Sequence, residues 1–152
     1  MSNHLCFIDS NIWLYYLIVD PNSSATEELR KRSLAINLIN SVNGVVSTQV
    51  INEVCSVLHR KAAFTELQIQ QVIQSFYSRV AVVELDRDIL MNASDLRSWY
   101  SFSFWDGLIV ASALSVNANI FYSEDMQDNM VIEQKLTIIN PLKWSQYTEI
   151  KK

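Results

Sequence analysis

The segment Leu5-Cys6-Phe7-Ile8-Asp9-Ser10-Asn11-Ile12 decides how the chain folds. Leu5 to Ile8 is an unbroken apolar run, and a strand without alternation is one covered on both faces, as in a parallel sheet. The run stops at Asp9, and from Asn11 to Leu17 the pattern turns helical. A charge therefore stands at the join between a buried strand and a helix.

Working outward, Asp20-Pro21-Asn22-Ser23-Ser24 reads as a turn, followed by a helix from Ala25 to Asn40. Gly44 punctuates before a short strand, Val45-Val46-Ser47. Thr48 to Lys61 is an amphipathic helix, and Thr65 to Tyr77 is another, opened by Thr65-Glu66. Val80 to Glu84 is a third strand, Asp86 to about Tyr100 a helix, and Phe104 to Val116 a strongly apolar helix. Asn119 to Ser123 and Leu136 to Ile139 complete five expected strands. Buried strands alternating with helices give an α/β fold, a central, mostly parallel five-stranded sheet flanked by helices in three layers. Residues 1–142 form the expected domain, and 143–152 a short polar C-terminal extension ending in Lys151-Lys152.

Composition bounds the function. With 152 residues, 49% apolar and 18% charged, the chain can bury one sizeable core. Lys and Arg number 12 against 16 Asp and Glu, a net charge of −4, which excludes a polybasic mode of nucleic-acid binding. Two glycines cannot spell a phosphate-binding loop or a dinucleotide fingerprint. Cys6 and Cys55 lie in apolar runs and make neither a disulfide framework nor a four-thiolate zinc site, so a reducing cytoplasm is the expected location. The longest apolar stretch, Asn11 to Val19, falls well short of the ~20 residues of a membrane span, and no signal peptide or membrane anchor is expected.

Ligands of an open parallel sheet gather at the carboxyl ends of its strands, so acids placed there carry the chemistry. Asp9 follows the first strand; Asp125, with Glu124 and Asp128 beside it, follows the fourth. Glu53 and Asp106 lie near the starts of helices that reach the same edge. The helix after Asp106 is apolar all round, so a carboxylate in its first turn must be hydrogen-bonded, paired or metal-bound. Glu53 stands about 40° beyond the apolar stripe of its helix, at the boundary of core and solvent. Each acid has a plainer reading: a helix cap for Asp9 and Asp106, a solvated side chain for Glu53, an acidic loop for Glu124, Asp125 and Asp128. Four acids at one edge exceed what capping requires. Two carboxylates at ~4 Å repel by about 4 kcal/mol at an effective dielectric near 20, so the group needs protons, bases or metal. An oxygen-only donor set suits Mg²⁺ or Mn²⁺ rather than zinc, and His4 and His59 read as surface residues.

These residues also fall into a familiar series: Phe7-Ile8-Asp9-Ser10-Asn11-Ile12, Asn52-Glu53, Trp105-Asp106-Gly107-Leu108-Ile109-Val110-Ala111-Ser112-Ala113, and Tyr122-Ser123-Glu124-Asp125-Met126-Gln127-Asp128 leading to Ile138-Ile139-Asn140-Pro141. The chain resembles a PIN-domain ribonuclease of the kind found as the toxin in VapBC-type toxin–antitoxin pairs, from Leu5 to Leu142. The resemblance implies a PIN-like fold and a metal-dependent endoribonuclease that leaves a 5′-phosphate and a 3′-hydroxyl. It implies Asp9, Glu53, Asp106 and Asp125 as catalytic and Mg²⁺- or Mn²⁺-binding residues, with Asp128 as a fifth, less constant acid. Ser10, Asn11 and Ser123 stand as supporting residues; Ser123 replaces a more usual Thr, and Gly107 a commoner Ala. A homodimer and an inhibitory antitoxin protein are the implied partners beside the RNA substrate.

Substrate grip must come from local charge: Arg60 and Lys61 at the end of the Glu53 helix, and Arg30, Lys31 and Arg32 on the second helix. Trp13, Tyr15, Tyr16, Trp99 and Tyr100 are candidates for base stacking or core. Rival readings are an inactive PIN scaffold that binds protein or RNA, a receiver-like domain, and an Mg-dependent phosphohydrolase. The last wants a second Asp where Asn11 stands.

Overall fold

The computed structural model describes residues 4–18 and 26–144; the turn expected at 20–24 and the end of the polar extension lie outside them. A six-stranded sheet is formed by β1 (Leu5–Ile8), β2 (Asn43–Ser47), β3 (Ala81–Val83), β4 (Ile120–Tyr122), β5 (Val131–Ile132) and β6 (Leu136–Ile139). The helices are α1 (Ser10–Leu17), α2 (Thr26–Ser41), α3 (Thr48–Ala62), α4 (Glu66–Arg79), α5 (Arg87–Tyr100) and α6 (Phe104–Ser115), with a 3₁₀ turn at Pro141–Lys143. Strand order is β3-β2-β1-β4-β6-β5, every pair parallel except β5 with β6.

That order places the site. From β1 the chain builds outward through β2 and β3, then crosses back to lay β4 on the other side of β1. The connections reverse between β1 and β4, and the carboxyl ends of strands at such a reversal are where an open parallel sheet places its ligand. Asp9 follows β1 and Ser123 follows β4 at this point.

The apolar runs behave as their lack of alternation requires. Cys6, Phe7, Ile8, Val45, Val46, Phe121 and Tyr122 are buried, with helices on the sheet; both cysteines are buried and unbridged. Helix starts are set by side-chain caps: Asp9 for α1, Ser47 for α3, Asp86 for α5 and Ser103 for α6. Thr65 and Gln68 form a reciprocal capping box on α4.

Two differences from the expected layout have local causes. β2 begins at Asn43 and runs through Gly44, whose missing side chain admits Ile8; a Cβ there would lie 3.2 Å from Ile8 Cδ1. The sixth strand, β5, returns through a tight turn at Glu133-Gln134, both at positive φ (52° and 58°), closed by Lys135 N–H donating to Ile132 O at 3.0 Å. Such a turn normally announces itself as Asn-Gly.

Gly107 lets α6 lie close against α5. A Cβ on it would stand 2.6 Å from Arg97 Cγ and 3.1 Å from the Ala93 carbonyl oxygen. Replacing Gly by Ala in a helix gains about 1 kcal/mol of propensity, whereas overpacking costs about 1–3 kcal/mol. Gly107→Ala is therefore expected to lower the urea midpoint of unfolding despite its better propensity, with unchanged far-ultraviolet circular dichroism. A raised midpoint would show that Arg97 yields freely.

Candidate active site

Asp9 ends β1 and caps α1. Its N–H donates to Tyr122 O at 2.9 Å, extending the ladder to β4, and only 8% of the residue is exposed. The carboxylate is held on both oxygens. Ser10 N–H donates to Oδ1 at 2.7 Å, and the Ser123 hydroxyl donates to Oδ2 at 2.7 Å. Ser123 is fully buried, and its oxygen also accepts the N–H groups of Asp125 (3.2 Å) and Met126 (3.4 Å). A hydroxyl has one proton to give and two lone pairs, so this one is fully used. It aims Asp9 and folds the acidic loop at once.

Asn11 ties the second acid in. Its Nδ2 donates to Asp125 Oδ2 at 3.1 Å and lies 3.5 Å from Asp9 Oδ2, while its Oδ1 accepts Glu124 N–H at 3.2 Å. The position a phosphohydrolase fills with a second Asp here carries an amide that holds two carboxylates beside one another.

Burial pushes the Asp9 carboxyl up to about 6, the bonds from Ser123 and Ser10 pull it down, and the charges of Glu53 and Asp125 add to the rise. Glu53 is an exposed residue on the second turn of α3, one helix turn after Gln49, whose Nε2 donates to Trp105 O at 3.4 Å. That contact joins the starts of α3 and α6. Asp106, half-buried, sits in the first turn of α6, its N–H donating to Ser103 Oγ at 3.1 Å. It shares the edge with the other three acids but makes no side-chain hydrogen bond to them. Among the described residues no three His, Cys, Asp or Glu side chains form a ready metal-holding cluster. None of Asp9, Glu53, Asp106 or Asp125 has a cationic partner among the described residues either.

The other candidates divide. Asp128 is engaged elsewhere: Oδ1 accepts Asn140 N–H at 2.7 Å and Oδ2 lies 3.5 Å from Lys143 Nζ, bracing the loop against the 3₁₀ turn. Lys31 pairs with Glu124 at 2.6 Å, and Tyr15 donates to the same carboxylate at 2.9 Å. Arg30 binds Glu27 and donates to Trp144 O at 2.9 Å, and Arg32 has a buried Nε with no hydrogen-bond partner among the described residues. Lys61 is exposed. Arg60 alone of the expected basic residues lines the groove that contains Glu53. This groove, about 620 Å³, runs between one face of α3 (Gln49, Asn52, Glu53, Ser56, Val57) and Leu85, Trp105 and Leu108. Trp105 was not among the aromatic residues singled out from sequence. Its signal was positional, as the first turn of a buried helix projects past the sheet edge.

A carboxyl raised by burial makes the native state bind protons that the unfolded chain releases, so stability falls as pH rises from about 4 to about 6. At neutral pH the ionised Asp9 costs on the order of 1–3 kcal/mol. In EDTA at pH 7.5, Asp9→Asn is expected to raise the melting temperature by several degrees, the gain vanishing near pH 4. An equal gain at both pH values would place its origin outside the Asp9 charge.

Comparison with known proteins places this arrangement. A family model described as PIN domain matches residues 6–130. No curated protein matches the chain. Among solved structures it is similar to a toxin–antitoxin complex from Klebsiella pneumoniae, with a TM-score of 0.66 and 16% identity over 90% of this chain and 97% of that one. It is similar to VapC20 of Mycobacterium tuberculosis, described as a sarcin–ricin-loop-cleaving toxin (0.60, 16%, 76% and 86%). A third is VapBC2 from Rickettsia felis bound to a DNA fragment from its promoter (0.58, 17%, 90% and 99%). The family match spans most of the chain, from the strand before Asp9 past the loop of Asp125, and the chain belongs to the PIN domain family.

Proposed function

We propose that the chain is a divalent-metal-dependent endoribonuclease, the toxin of a toxin–antitoxin pair. The observation that carries this reading is Asp9: a buried carboxylate, raised by its surroundings, beside two further acids that no cation neutralises among the described residues. Such a donor set, all oxygen and electrostatically uncompensated, fits Mg²⁺ or Mn²⁺. Two of the solved neighbours named above, described as a toxin–antitoxin complex and as a toxin, support the same reading.

In this proposal Asp9 and Asp106 are the principal ligands, and Asp125 binds directly or through water. A bound divalent ion would polarise the phosphodiester and lower the pKa of water. The chain's own residues do the rest. Ser10 and Ser123 fix the Asp9 oxygens, Asn11 keeps Asp125 within reach, and Glu53 at the groove rim is a further ligand or accepts a proton from the attacking water. Asp128 steadies the Asp125 loop. An antitoxin would guard the site, and a homodimer is the expected assembly. An apolar cleft of about 250 Å³ between α1 and α4, lined by Trp13, Tyr16, Val72 and Phe76, offers a partner's apolar side chain a seat.

Incubation with a mixed RNA pool in Mg²⁺, Mn²⁺ or EDTA, with mapping of the cut ends, tests the reading. Cleavage in metal and none in EDTA is expected, leaving 5′-phosphates. Asp9→Ala and Asp106→Ala should each lower the rate at least about 100-fold, beyond what losing a ligand-orienting partner costs, with folding intact. Metal-dependent cleavage retained in both variants would overturn the assignment and leave the scaffold reading.

A further inference from the structure

Trp105 precedes Asp106 on the first turn of α6 and is 64% exposed, and Phe104 beside it is 62% exposed. An indole left in water forgoes most of the stabilisation its burial would give. These rings are nevertheless fixed. The Arg97 guanidinium lies 4.0 Å from the Phe104 ring centre, and its Nη1 donates to Phe104 O at 3.1 Å. Phe104 and Trp105 meet edge to face at 5.5 Å, and Gln49 holds the Trp105 carbonyl from α3.

Across the groove from this indole, α3 presents Gln49, Asn52, Glu53 and Arg60 on one face. Arg60 makes no ion pair among the described residues. A π-face, the Asn52 amide and a guanidinium are groups that hold a single-stranded nucleotide, stacking for the base, the amide for its edge and Arg for phosphate, while the Gln49 amide is engaged with the Trp105 carbonyl and its Oε1 is buried. Seven residues of helix, about 10 Å, separate Glu53 from Arg60, so a phosphate at Arg60 is a neighbour of the one at the carboxylates.

Resting on the nuclease reading, we propose that this groove is a nucleotide subsite: Trp105 stacks the base flanking the cut, and Arg60 holds an adjacent phosphate of single-stranded RNA. A cation that makes no ion pair among the described residues, beside an otherwise acidic edge, favours RNA over a second copy of the chain.

Anisotropy of a short fluorescein-labelled single-stranded RNA of mixed sequence, in EDTA, is paired with cleavage kinetics in Mn²⁺ and light scattering. Trp105→Ala should weaken binding about tenfold and raise KM with little change in kcat, while Trp105→Phe stays within about threefold of wild type. Arg60→Gln should weaken binding and remove about one phosphate's worth of salt dependence. Trp99→Ala, equally exposed on α5, should change nothing. Wild-type-like binding by Trp105→Ala, or no RNA binding by the wild type, would overturn the subsite. So would a change of mass on losing the indole, which would mark an interface between copies. Cleavage by the wild type with an unchanged Trp105→Ala sinks the subsite and spares the nuclease. Trp105-dependent binding without wild-type cleavage does the reverse.

Discussion

One carboxylate, that of Asp9, is enclosed where the strand connections reverse, and the edge of the sheet is built around holding it there. Its backbone N–H continues the β1–β4 pairing, and its side chain caps α1. The Ser123 hydroxyl that fixes Oδ2 is also the acceptor around which the Asp125 loop folds. Asn11, in the first turn of α1, reaches the same loop. Removing the charge would relax the burial cost but loosen the reason these groups converge. A buried acid with no cationic partner among the described residues is a local expense, and such expense collects at functional sites.

The groove extends that logic away from the buried acid. Glu53 and Arg60 lie on one face of α3, and Trp105 stands opposite, held by Gln49 and, through Phe104, by Arg97. Gly107 belongs to the same device: its lack of a side chain brings Arg97 near enough to reach the Phe104 carbonyl. The net charge of −4 excludes an all-over grip on RNA, so in the proposed reading affinity is local. In the proposed subsite, a stacking ring and a guanidinium that makes no ion pair among the described residues would supply a local grip.

The architecture was legible because its signals are strong ones. The continuous run Leu5–Ile8, the all-round apolar α6 and the Thr65 cap each carry one physical meaning, and each element stands where its pattern put it. β5 was not legible: two residues are too short for alternation, and Glu133-Gln134 adopt left-handed conformations without the residues that usually pay for them. Helix ends at Ala63 and Ser101 also use positive φ without glycine, so no Gly marks them. Among the site residues, Asp9 could be read from the chain because strand end and cap coincide, whereas Ser10 and Ser123 were pointed to by the family resemblance alone. The diversion of Asp128 to Asn140 and Lys143, and of Lys31 to Glu124, depends on loop geometry that no local pattern encodes.

In the proposed reading, Asp9 and its acidic neighbours form a divalent-cation site. It is tested most directly by calorimetric titration of Mn²⁺ in buffers of different ionisation enthalpy. With the Asp9 carboxyl near 6, binding at pH 6 should release about half a proton and almost none at pH 8, and Asp9→Asn should abolish both the release and most of the affinity. Binding of unchanged affinity in Asp9→Asn, or no binding at millimolar Mn²⁺ by the wild type, would contradict the account.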